Sequence, residues 1–195
     1  IDFPLNNRPW LKGRFTEIRE MADEAGRLEG IKAILRWTNP GPGGFYDDLS
    51  NSFQQLHLVK GPGFEEDPSF LESPLRKFPY RKEPQALRAS WRSYTGSLND
   101  ASFEMHYPDL DPNAQYKVRI VYSTVSPHIK VRLEANDGIE VHPLIFKQVP
   151  HGPVEFDVPK EATQGGELTL RWYREQGQGG SGTGCEVSEL WLIKV

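Results

Sequence analysis

One cysteine, Cys185, stands in a chain of 195 residues. An intrachain disulfide is therefore excluded, and the redox compartment stays open. No apolar run approaches the roughly 20 residues that a bilayer-spanning helix needs, and no signal peptide is present. No large charge excess exists either. The formal net charge is -4, which argues against broad attraction to nucleic acid or to an anionic membrane. Basic residues gather locally in "RKFPYRKEPQALR" (76–88), which reads as a solvated loop. Catalytic signatures are missing as well. The five histidines (His57, His106, His128, His142, His151) include no H-x-x-x-H pair. The glycine-rich "GQGGSGTG" (177–184) has neither the G-x-S-x-G elbow nor a G-K-[ST] ending. It reads as a flexible tip before the last strand. The chain opens "IDFPLNNRPW" without an initiator Met. It is expected to be a piece of a longer protein, so the missing leader says little about compartment.

What is present is punctuation: 18 glycines and 16 prolines. They leave one helical stretch near the start. Between Phe15 and Leu35, the residues Phe15, Ile18, Met21, Ala22, Ala25, Leu28, Ile31, Ile34 and Leu35 recur at helical spacing. Thr16 is the candidate N-cap, and Gly26 and Gly30 predict a break near the helix end. Residues 1–37 form the expected helical segment, packed on the rest or linking to an absent upstream domain. Residues 38–195 form the expected β domain.

After Pro40, short runs alternate between apolar and polar residues. In "QYKVRIVYS" (115–123), Tyr116, Val118, Ile120 and Tyr122 share one face. Ile129, Val131 and Leu133 do the same, as do Leu168, Leu170 and Trp172. Further strand-like runs are 55–60, 86–94, 102–107, 139–146, 154–159 and 186–195. One wet and one buried face per strand predicts antiparallel sheets. Many short strands predict a mainly β fold, an antiparallel β-sandwich of jelly-roll type. Residues 60–85 hold Pro62, Pro68, Pro74, Pro79 and Pro84, a long stiff segment of the kind that often serves function.

"DLDPNAQYKVRIVYS" (109–123) resembles the turn and strand of galactose-binding-like β-sandwich domains. Leu110, Pro112, Tyr116 and Val118 match their L-x-P-x-x-x-Y-x-V stretch, which fibronectin type III domains share. The order of segments over 86–195, with Leu168, Leu170 and Trp172 matching an L-x-L-x-W strand, resembles jelly-roll accessory domains of large bacterial glycoside hydrolase-type proteins. Residues 38–85 also look like a section found in large bacterial glycosidase-like proteins. The resemblance implies a sandwich of eight or more strands, a carbohydrate site on a loop edge and, often, a structural calcium. It further implies an accessory module of a secreted or periplasmic protein, with carbohydrate and an upstream domain of the same chain as partners. The alternatives are a structural domain that buttresses a neighbour, and a small jelly-roll lyase or glycosidase.

Sugar binding needs flat aromatic faces and polar groups for hydroxyls. Trp91, Arg92 and Tyr94 supply both in one run, with Tyr46 and His57 as further candidates. In "TNPGPGGFYDDLSN" (38–51), Asp47 and Asp48 offer hard oxygens, and Glu186 and Glu189 near the last strand complete a calcium set if the first and last strands are neighbours. The competing reading of Asp47 is a turn acceptor for backbone N–H groups. Trp172 and Trp191 are expected in the core. A glycosidase would need paired carboxylates across a cleft, for which Asp47 or Asp48 with Glu186 are the candidates. A lyase would need a Tyr or His base beside a cation, for which Tyr46, His57 and Arg92 stand.

Overall fold

A computed structural model describes residues 8–49, 55–60, 76–79, 93–123, 128–136, 138–148, 152–177 and 183–195. Two helices come first, α1 (Arg8–Glu20) and α2 (Glu24–Leu35). The expected single helix is divided at Met21–Asp23, earlier than the glycines suggested. The reason is local: Asp23 leaves helical geometry and its carboxylate accepts the Gly26 amide at 2.7 Å, so it caps α2. Thr16 is no cap. Its hydroxyl donates back to the Lys12 carbonyl inside α1. Gly30 marks a close approach, because a Cβ there would lie 2.7 Å from Ile18 Cγ1 on α1.

Ten strands follow among the described residues: β1 (Phe45–Asp48), β2 (Arg76–Pro79), β3 (Ser93–Leu98), β4 (Phe103–Tyr107), β5 (Tyr116–Tyr122), β6 (Lys130–Ala135), β7 (Ile139–Phe146), β8 (Val154–Val158), β9 (Leu168–Arg174) and β10 (Thr183–Lys194). They form two antiparallel sheets, an antiparallel β-sandwich of jelly-roll type. One sheet has the order β2-β3-β10-β5-β8, with β1 also on β10; the other has the order β4-β9-β6-β7. β10 is the spine. β5 runs along one side of it, while the other side is shared, β3 taking Thr183–Val187 and β1 taking Glu189–Leu192. Leu49 crosses the junction: its amide donates to Ser188 and its carbonyl accepts the Thr95 hydroxyl at 2.7 Å.

The inward faces meet in one core that includes Phe103, Met105, Tyr107, Val118, Ile120, Leu133, Leu170, Trp172, Leu190 and Leu192. Full burial of such side chains is worth about 1.5–3 kcal/mol each. The L-D-P-N-A-Q-Y stretch has a physical cause. The Tyr116 hydroxyl accepts the Asp111 amide at 2.9 Å and pins the turn to the start of β5, while Leu110 is buried beneath it. Trp191 departs from the core expectation in one respect. It is buried, but on the outer face of the larger sheet, where Trp37 covers it at 5.5 Å and Trp10 packs on Trp37 at 4.9 Å. The Trp191 Nε1–H donates to the Trp37 carbonyl at 2.6 Å. No helix among the described residues is long and apolar enough to cross a membrane.

Candidate functional site

The opening loop is a rigid turn into β1, and the reason for its glycines is proximity. A Cβ at Gly44 would lie 2.7 Å from the Leu192 carbonyl, so the loop closes tightly on β10. The turn delivers alternate residues of β1 to opposite faces of the sheet. Phe45 and Asp47 point between the sheets; Tyr46 and Asp48 point outward.

Asp47 is buried and committed. The Tyr107 hydroxyl donates to it at 2.8 Å, and the ring nitrogen Nδ1 of His57 lies 2.9 Å from it. The His57 ring stacks on Tyr107 at 4.6 Å and meets Phe45 edge-on at 4.9 Å. Burial, then the neighbouring Asp47 carboxylate, push the Tyr107 phenol well above its ordinary pKa, so it remains a hydroxyl donor. The run 55–60 is not a full strand. It joins β4 through one bridge, Leu58 to Met105, and carries His57 to the gap between β1 and β4.

Tyr46 lies against Trp191 at 5.3 Å, and its hydroxyl donates to Glu189 at 2.6 Å. Tyr94 is only 3% exposed, so this ring offers no face to solvent. Trp91 and Arg92 lie outside the described residues, as do the proline-rich 61–75 and most of the glycine-rich tip.

β1 and β10 are neighbours, and Asp48 pairs in register with Glu189. The calcium set nevertheless does not assemble. Glu186 turns to Lys147, whose ammonium donates to it at 2.6 Å with both side chains 1% exposed. Among the described residues no three His, Cys, Asp or Glu side chains gather so as to hold a metal. Asp47, Asp48 and Glu186 therefore do not fit a calcium cage. Cys185, beside this pair, is buried, and burial pushes its thiol up to about 12, which leaves it unreactive as a nucleophile.

A second place has a different character. At the end of β9, where the outward Tyr173 and Arg132 meet the buried Arg174, a groove of about 310 Å³ is lined by Asp100, Arg132, Leu144, Tyr173, Arg174 and Glu175, with Gln176 beside them. That volume is near the lower bound of small-molecule sites, about 300 Å³. The Arg132 guanidinium packs on the Tyr173 ring at 4.9 Å, and Arg174 donates to Asp100 at 2.7 Å. Burial raises the Tyr173 phenol above its usual range, so its hydroxyl stays protonated. These residues sit on strands whose inward partners were legible: with Leu168, Leu170 and Trp172 inward, Tyr173 faces outward, and with Val131 and Leu133 inward, so does Arg132. The signal was the opposite parity of the same strands.

No family model matches the chain, and no curated protein does. Several solved structures align with it at low identity. A family 35 carbohydrate-binding module from Clostridium thermocellum aligns at 12% identity over 63% of this chain and 89% of that one, with a TM-score of 0.39. The tandem CBM51 modules of a family 98 glycoside hydrolase from Streptococcus pneumoniae align at 17% identity over 80% and 49%, with a TM-score of 0.43. The ANX1 ectodomain from Arabidopsis thaliana aligns at 12% identity over 77% and 47%, with a TM-score of 0.45. The chain thus spans most of the first of these and about half of the other two.

Proposed function

We propose that this chain is a non-catalytic carbohydrate-binding module, an accessory part of a larger secreted bacterial polysaccharide-degrading protein. The observation that carries the reading is the groove on the smaller sheet. It joins the aromatic ring of Tyr173 and the apolar Leu144 to the donors of Arg132 and the acceptors of Asp100 and Glu175. An apolar patch for the C–H face of a sugar beside forked donors for its hydroxyls is the chemistry such recognition needs. The carboxylates proposed for hydrolysis support the non-catalytic side of the reading, because Asp47 is bonded to Tyr107 and His57 and Glu186 to Lys147.

The test is retention on immobilised polysaccharides together with calorimetric titration. Affinity is expected on the order of micromolar to millimolar, because a short sugar buries little apolar area. Tyr173→Ala is expected to abolish retention and leave the Tm unchanged. Turnover of any polysaccharide, lost in Tyr46→Phe or His57→Ala, would replace this reading with the enzymatic one.

A second reading has its own observation. Phe15, Leu28, Ile31 and Leu35 are exposed on the helical pair, as suits a domain that buttresses a neighbour. A screen showing no glycan binding at millimolar ligand would favour it.

A further inference from the structure

The groove is one end of a longer surface. Two matched cation–aromatic pairs stand on the outer face of the smaller sheet. Arg132 packs on Tyr173 at 4.9 Å, and Lys130 packs on Phe146 at 5.3 Å. Both cations belong to β6, two residues apart, so they share a face. Their aromatic partners flank β6 on opposite sides: Tyr173 pairs with Arg132 on β9, and Phe146 pairs with Lys130 on β7. With strands about 4.8 Å apart and a rise of about 3.4 Å per residue, the two aromatic positions lie about 12 Å apart. Leu144, exposed on the same edge strand, continues the apolar surface from Phe146 into the groove. Phe146 itself is 62% exposed, a large apolar side chain with no role in the core.

A pyranose ring is comparable in size to the aromatic ring it stacks on. A single sugar therefore reaches one of these rings, and only a chain of about three or more units reaches both. Charge narrows the class further. Each cation on this surface has a carboxylate beside it: Lys130 with Glu175 at 3.6 Å, Arg132 with Glu134 at 3.0 Å, Arg174 with Asp100 at 2.7 Å. A balanced surface does not draw a polyanion.

Resting on the carbohydrate reading above, we infer that the site takes an extended, uncharged glycan chain laid across β9, β6 and β7, with Tyr173 and Phe146 as two separate stacking platforms, rather than a single sugar or a chain end.

Calorimetric titration of the full chain with glucan-, mannan-, xylan- and galactan-derived oligosaccharides of one to six units tests this, with oligogalacturonates as the charged comparison. Affinity for the bound series is expected to rise about tenfold between two and four units and then level off. Phe146→Ala, at an exposed position, is expected to remove that rise while the groove at Tyr173 still binds the disaccharide. Tyr173→Ala is expected to lose both, and Tyr173→Phe to retain the length step. Affinity independent of length overturns the inference, as does a length step that survives Phe146→Ala. Preference for oligogalacturonates with steep salt dependence overturns its uncharged part. Absence of binding at every length removes the carbohydrate reading and this inference with it, whereas binding without the step removes this inference alone.

Discussion

The hydroxyl of Tyr107 on β4 and the carboxylate of Asp47 on β1 meet at 2.8 Å across the space between the two sheets. β1 belongs to the larger sheet and β4 to the edge of the smaller, so one polar contact ties the two layers where the loop carrying His57 closes over them. Tyr107→Phe deprives a buried carboxylate of one of its two partners, leaving His57. It is expected to cost about 1–3 kcal/mol, read as a lowered urea midpoint with an unchanged slope. Calcium added to metal-stripped protein is not expected to act through Asp47, and a Tm rise lost in Asp47→Asn would contradict that.

Lys147 and Glu186 form an ion pair sealed from water. Removing one partner strands the other charge. Lys147→Met is expected to destabilise by about 3–5 kcal/mol, while the double variant Lys147→Met, Glu186→Leu recovers most of the loss. Equal stability of the single variant and the parent chain would show that water reaches the pair.

His142 is expected to set an acid limit on stability. The Trp172 Nε1–H donates to the Tyr122 hydroxyl at 2.8 Å, and that hydroxyl lies 2.7 Å from His142 Nε2. His142 Nδ1 donates to the Pro143 carbonyl at 2.8 Å. This chain of donors suits the neutral ring, and burial lowers the His142 pKa in spite of the Pro143 bond and the nearby Glu140. The unfolded chain therefore binds a proton that the folded one resists, and stability falls as pH drops through and below about 6.5, the unfolded value. Melting curves from pH 8 to pH 5 should show that fall, and His142→Gln should flatten it.

Trp37 fastens the helical pair to the sheet by covering Trp191 and accepting its indole N–H. Trp37→Ala is expected to cost about 3 kcal/mol, the low end for removing a buried aromatic, because Trp37 is half-buried. Limited trypsin digestion should then cut within α1 and α2 before the sandwich is touched. Unchanged protease resistance would locate the attachment elsewhere.

Strand parity was legible where inward apolar residues alternate cleanly: β5, β6 and β9 fall within a residue or two of where Tyr116–Tyr122, Val131–Leu133 and Leu168–Trp172 placed them, and β7 and β8 match the runs 139–146 and 154–159. β1 was not legible. Its Phe-Tyr-Asp-Asp puts one aromatic and one carboxylate on each face, and Asp47 is buried by bonding to Tyr107 and His57 rather than by being apolar. The division of the helical stretch was hidden for a related reason: Asp23 ends one helix's run by capping the next, a use of a carboxylate that periodicity does not register. The groove is not marked in the sequence as the aromatic-rich run 86–94 and the opening loop are. Tyr173 and Arg132 lie on regular strands, and their meeting depends on the β6–β9 register, which is a long-range pairing.

The sharing of β10 between β1 and β3 has a consequence for how the chain reaches its native state. β1 precedes and β10 follows the eight other described strands, so their ladder cannot close until all of the strands between them have been made. Loop closure over that span is costly before any contact rewards it. Refolding on the order of milliseconds to seconds, rather than microseconds, follows for such a contact order. During synthesis, the flank of β5 that pairs with β10 must wait until β10 itself emerges.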